Sequence, residues 1–129
     1  MKAIDTNVVI RIVTSDDPVQ TPVARALVAD GVFVSHSVFL ESEWVLRSFY
    51  RWKRTEIAEA LDDLINLECV HVLHEKGLFW ALDRYRRGAD WADMLHLLAA
   101  RGTESFQTFD GSVARDAGAS GPIPIEILR

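Results

Sequence analysis

Five carboxylates stand where the chain passes from strand to helix. The opening MKAIDTNVVIR has Lys2-Ala3-Ile4, too short for a helix, leading into Asp5 and then Thr6, Asn7 and an apolar run. Glu41 lies in the first turns of the segment VFLESEWVLRSFYRW, Asp90 and Asp93 open a helical segment after Gly88, and Asp110 ends the strand-like Phe106 to Phe109. A strand that ends in an acid and feeds a helix places that acid at the carboxyl edge of an open α/β sheet, where ligands bind. Right-handed crossovers in a parallel sheet bring such positions to the same edge. Hard oxygen ligands with no thiolate among them and no His-x-x-x-His spacing suit Mg²⁺ or Mn²⁺ better than zinc. Carboxylates so crowded repel one another unless cations sit between them. Each acid also has a plain structural alternative. Asp5 suits a helix cap, Asp90 with Asp93 suits a first helical turn, and Asp110 before Gly111 suits a turn. Glu41 shares its helix with Glu43, which points about 200° away at 100° per residue, and the pattern does not choose between them.

The elements that must hold these acids alternate. Short strands are expected at Lys2 to Ile4, Val32 to Val34, Val70 to Leu73, Phe106 to Phe109 and Ile123 to Leu128, the last an edge strand with Pro122 and Pro124 at its start. Helices are expected after Asp5, from Asp17-Pro18 to Gly31, from Ser35 to Trp52, over Lys53 to Leu67, Leu78 to Arg86, Asp90 to Arg101 and Ser112 to Ala117. That alternation predicts an α/β fold with four to five short, mostly parallel strands flanked by helices. No repeat, low-complexity tract or linker interrupts it, so residues 1–129 read as a single domain.

At 49% hydrophobic and 26% charged the chain is globular in composition. No apolar run reaches the ~18–20 residues needed to cross a bilayer, and no basic-then-apolar leader opens the chain. Cys69 is the one cysteine, which excludes an internal disulfide, reads as a small core residue and fits a cytoplasmic location. The net charge of −5 argues against coating nucleic acid by bulk attraction, yet carboxylates awaiting cations are part of that count.

Four stretches resemble the PIN domain family, and within it the VapC-type ribonuclease toxins of toxin–antitoxin pairs. They are IDTNVVIR, VFLESEWVLRS, GADWADMLH at 88 to 96 and TFDGSVAR at 108 to 115. They come in the family's order, and the likeness covers the chain in a PIN-like α/β/α sandwich. The resemblance places the family's acidic quartet on Asp5, Glu41, Asp93 and Asp110, with Asp90 as a further acid. Trp91 stands where Phe is more usual, a ring expected to seat its helix on the sheet. Glu43 matches no acidic position and is expected to be solvated or on a dimer surface, and Asp116 to be an exposed helix acid. The implied chemistry is Mg²⁺-dependent (or Mn²⁺-dependent) endonucleolytic cleavage of RNA, by in-line attack of activated water that leaves a 5′-phosphate. Asp5, Asp93 and Asp110 are the implied ligands, and Glu41 either a ligand or the group that orients and deprotonates the water. Thr6 and Asn7 either fix Asp5, contact a phosphate, or simply cap the helix.

Arg47, Arg51, Lys53 and Arg54, interleaved with Tyr50 and Trp52, form one basic cluster, and Arg84, Arg86 and Arg87 another. Cations beside aromatics suit single-stranded RNA, while a solvated helix face with ordinary ion pairs is the plain alternative. Phe39, Trp44, Phe49, Tyr50 and Trp52 exceed what one buried face needs, and the family implies a homodimer contact and a groove for a cognate antitoxin. His36, His71, His74 and His96 read as structural or surface groups, and Trp80 as helix packing. A haloacid-dehalogenase-like phosphohydrolase also begins with a strand ending in Asp, but Asn7 stands where its second acid belongs. The only lysines are Lys2, Lys53 and Lys76, so that enzyme's late lysine, and a receiver module's, is missing. A non-catalytic PIN-like scaffold would share the motif without cutting RNA.

Overall fold

The computed structural model describes residues 1–129. The chain gathers into two compact units, Met1–Leu73 and His74–Arg129. In the first, β1 (Lys2–Ala3), α1 (Thr6–Thr14), α2 (Gln20–Ala29), β2 (Val32–Phe33), α3 (His36–Ser48), α4 (Arg54–Asn66) and β3 (Val70–His71) follow in order. The strands form one parallel sheet in the order β1-β2-β3, with Ala3 opposite Phe33 and Phe33 opposite His71. Parallel neighbours need long crossovers, and here each crossover is a pair of helices. The ladder runs a little past the strand ends, where the amides of Ile4 and Val34 donate to the carbonyls of Phe33 and His71. Val9, Val32, Val34, Phe39, Leu46, Ile57 and Leu61 are fully buried and make the centre of this unit.

The second unit holds α5 (Glu75–Arg86), α6 (Trp91–Ala99), β4 (Phe106–Thr108), α7 (Ser112–Ala117) and β5 (Ile125–Ile127). β4 and β5 pair in parallel, Phe106 opposite Ile125 and Thr108 opposite Ile127, with α7 as their crossover. Leu78, Leu82, Met94 and Leu97 are fully buried on α5 and α6. Gly77 lets those two helices close up, because a Cβ there would meet Leu98 Cδ2 at 2.6 Å. Gly88 connects the pair at φ +105°, a conformation that glycine adopts without strain. Trp91 is buried, and its ring stands edge-on against Tyr85 of α5, centroids 5.5 Å apart. It therefore seats α6 on a helix, where the resemblance implied seating on a sheet.

α2 begins at Gln20, after the Asp17-Pro18 turn, and α6 ends at Ala99 rather than Arg101, and two further helix ends differ from the sequence expectation. α3 stops at Ser48 rather than Trp52, because Arg51 takes φ +59° and the amide of Trp52 turns back to the Leu46 carbonyl. α5 begins at Glu75 rather than Leu78, since Glu75, Lys76 and Gly77 carry no apolar pattern to reveal the first turn. Cys69 is half-buried rather than a core residue. No helix is long and apolar enough to cross a membrane.

Leu61 on α4 has no exposed surface, so Leu61→Ala leaves a void in the first unit. It should cost about 2–5 kcal/mol in urea unfolding. A loss below ~1 kcal/mol would mean that this core is not packed as described.

Candidate active site

Asp5 leaves β1 in an extended conformation and caps α1, its Oδ1 accepting from the Val8 amide at 3.1 Å. The other carboxylate oxygen is uncommitted. Asp5, Asn7 and Val8 line one side of a cleft of about 330 Å³ whose far side is α2. Arg11 also lines that cleft, held by Gln20 Oε1 at 2.7 Å and by the Tyr50 hydroxyl at 3.3 Å, with Asp16 3.6 Å away. Thr6 is buried and Asn7 exposed. Glu41 is exposed on α3. Glu43 is not the solvated residue expected: it is 5% exposed, and Arg47, one turn on, donates to its Oε2 at 2.8 Å. Burial of a carboxylate requires such a partner.

In the second unit Asp90 caps α6, its Oδ2 accepting from the Asp93 amide at 2.9 Å. The Asp90 amide in turn donates to Asp116 Oδ2 at 3.4 Å. Asp116 is thus half-buried beside α6 rather than an exposed helix acid, its side chain 17% accessible. Arg84 on α5 fastens the same turn by donating to the Asp116 carbonyl at 2.6 Å, and its guanidinium fills the space where Gly118 lacks a Cβ. Asp110 sits after β4, where its Oδ1 accepts from both the amide and the hydroxyl of Ser112, at 2.9 and 2.7 Å.

These acids feel one another. Asp93 is half-buried, and loss of water lifts its carboxyl above the usual range. Repulsion from Asp90, and less from Asp110 and Asp116, adds to the lift, while His96 partly opposes it. Asp110 moves the other way, held below the usual range by the hydroxyl and amide of Ser112. One acid is therefore ready to ionise and its neighbour reluctant, an asymmetry typical of sites built for charge.

Asp5 and Glu41 belong to the first unit, Asp90, Asp93, Asp110 and Asp116 to the second. Neither unit gathers three acidic, histidine or cysteine side chains into a ready-made metal cage. The donor chemistry of the second unit nonetheless fits a hard cation. The acids that repel Asp93, namely Asp90, Asp110 and Asp116, are oxygen donors, and the reluctance of Asp93 to ionise is what a positive guest would relieve.

The basic candidates are mostly surface groups. Arg51, Lys53, Arg54 and Arg86 are exposed, while Arg47 and Arg87 are bound one turn back to Glu43 and Asp83. Of the aromatic cluster, Phe39 is fully buried, Trp44 is 57% and Phe49 77% exposed, and Tyr50 and Trp52 lie between. His36 is structural, its Nε2 bonded to the Leu73 carbonyl at 2.7 Å.

The PIN domain family model matches residues 2–117. The chain belongs to the PIN domain family. No curated protein and no solved structure gives a match. PIN domains are in general metal-dependent nucleases, so this PIN-family chain carries its acids in a context where nucleic-acid phosphodiesters are the substrate class. The residue that sequence reasoning missed in this PIN chain is Asp116. Val113 and Ala117 mark the buried face of α7, and Asp116 flanks it, so the helical period held the signal.

A pH titration checks the electrostatics. In the metal-free protein the Asp93 carboxyl should titrate above, and that of Asp110 below, the ordinary carboxylate range by ¹³C NMR. Asp93 has its folded value above the unfolded one, so its ionisation removes stability as pH rises through that window. Asp110 has the opposite sign, and its contribution fades as pH falls through the lowered value. Saturating Mg²⁺ should pull the Asp93 midpoint down; an unmoved midpoint would mean that no cation binds near it.

Proposed function

We propose that this chain is a Mg²⁺-dependent (or Mn²⁺-dependent) endoribonuclease, the VapC-type toxin of a toxin–antitoxin pair. It acts in the cytoplasm as a single PIN domain over residues 1–129. The observation that carries the reading is Asp93, half-buried at the head of α6 and repelled by Asp90, Asp110 and Asp116. Such a carboxylate gains most from a divalent cation. In this reading Asp5, Glu41, Asp93 and Asp110 are the functional carboxylates. Asp5, Asp93 and Asp110 hold the cation, and Glu41 either joins them or orients the attacking water. When bound, the cation neutralises phosphate charge and lowers the pKa of water.

The chain's own residues supply the positioning. Asp90 fixes the first turn of α6 and so the backbone that bears Asp93. Ser112 keeps Asp110 ionised and turned toward the start of α7. Thr6 and Asn7 flank Asp5 at the head of α1, whose first-turn amides favour an anion. Arg51, Lys53, Arg54 and Arg86 are exposed and within reach of phosphates along a strand, and Arg47 and Arg87 can exchange a carboxylate partner for one. The exposed Trp44 and Phe49 support a second copy of the chain or an amphipathic antitoxin segment as protein partners. A basic side chain from that antitoxin would compete with the cation for the carboxylates.

The test is cleavage of single-stranded RNA by the purified protein. Cutting should require Mg²⁺ or Mn²⁺, leave 5′-phosphates, and fall at least ~100-fold in Asp5→Asn and in Asp93→Asn while circular dichroism stays unchanged. A parent that cuts no RNA with either metal would leave a PIN-like scaffold. An Asp5→Asn protein as active as the parent would break the residue assignment.

A further inference from the structure

A second pocket in the His74–Arg129 unit has no acid in its lining. It has a volume of about 300 Å³ and lies between the first turns of α5, the end of α6 and the 118–122 loop. Lys76, Gly77, Trp80, Leu98, Arg101 and Ser120 line it. Its volume is at the lower end for ligand sites, suited to a small polar group.

The donors here are unmatched. The indole Nε1 of Trp80 is shut off from solvent and meets no acceptor. That nitrogen does not open into the pocket, so the Trp80 ring serves as its wall and as a reporter beside it. Lys76 and Arg101 are exposed and make no ion pair, whereas Arg11, Arg47, Arg87 and Arg115 all have acid partners. Ser120 adds a hydroxyl from the loop. No side chain caps the start of α5, so the dipole of a 12-residue helix adds to the positive field. Lys76, Arg101 and Ser120, from three segments, thus bring donor side chains to the lining of one space in a chain of net charge −5. A tetrahedral oxyanion offers several acceptors in different directions and meets such a set better than a planar carboxylate does. Arg101 lies just past the C-terminal end of α6 while Asp93 stands in its first turn, so the pocket is distinct from the acidic end of that helix.

We propose that this pocket binds a phosphate group. In the nuclease reading, on which only the source of the ligand rests, it is a backbone phosphate of the nucleic-acid strand, away from the bond being cut. Free phosphate would offer the same chemistry.

Indole N–H signals test it directly. The ¹⁵N-labelled protein has four tryptophans, and Trp80→Phe assigns the signal of interest. Inorganic phosphate and a short single-stranded oligoribonucleotide are titrated separately, with a chelator present so that nothing is cut. The Trp80 indole signal should shift and saturate, sodium chloride of equal ionic strength should not move it, and Lys76→Ala and Arg101→Ala should each weaken binding about tenfold. Movement with the oligonucleotide supports the strand as source; movement with phosphate alone supports the site with free phosphate as its ligand. A Trp80 signal that ignores both, or that responds equally in the two variants, overturns the proposal. An oligonucleotide that shifts other signals but not Trp80 overturns the pocket while leaving the nuclease reading intact. Saturation at Trp80 in a protein that cuts no RNA with metal does the reverse.

Discussion

Helix capping by carboxylates is the interaction on which this structure turns. Asp5 and Asp90 each commit one oxygen to an amide in the first turn of a helix, Asp110 commits one to the turn that leads into α7, and each keeps the second oxygen uncommitted. The cap fixes where the carboxylate sits, at a cost the fold recovers through the satisfied amide. Chemistry and stability therefore share the same side chains. Asn caps nearly as well as Asp, so replacing Asp by Asn removes the charge while keeping the helix start. Alanine at the same positions would remove both, at about 1 kcal/mol per cap.

Charge then determines what the acids can do. Asp93 has no capping role of its own and is the member whose ionisation the surroundings resist. Asp110 is stabilised as an anion by Ser112. The metal-free chain thus carries unrelieved repulsion at the head of α6, and any cation that bound there would be linked to folding stability. The opposite end of the same helix has the contrary character, with cations and an unsatisfied indole in place of acids. In the proposed reading an elongated polyanion gains from both ends of such a helix, through metal-mediated contact at one and direct contact at the other.

Much of this was legible in the chain. The order of strands and helices follows from periodicity and from breakers such as Gly88, and α7 occupies the residues expected of it because Asp110-Gly111 and Gly118 bound it on both sides. The caps Asp5 and Asp90 were readable from residue type alone. Other features depended on tertiary packing. Glu43 is buried with Arg47 placed one turn on to pair with it, which a helix apolar on more than one side does not reveal. Asp116 approaches Asp90 through a contact 26 residues apart, and the early end of α3 depends on the backbone of Arg51. The uncommitted donors of Lys76, Trp80 and Arg101 look like ordinary helix residues until α5 and α6 are laid side by side.

Paramagnetic broadening by Mn²⁺ tests most directly whether the carboxylates around Asp93 seat a divalent cation. In the ¹⁵N-labelled protein, substoichiometric Mn²⁺ should first erase the amide signals of Asp90, Asp93 and Asp110, and Asp93→Asn should abolish that selectivity. Broadening spread evenly over exposed acids such as Asp63 and Glu68, with Asp93 no more affected than they are, would contradict it.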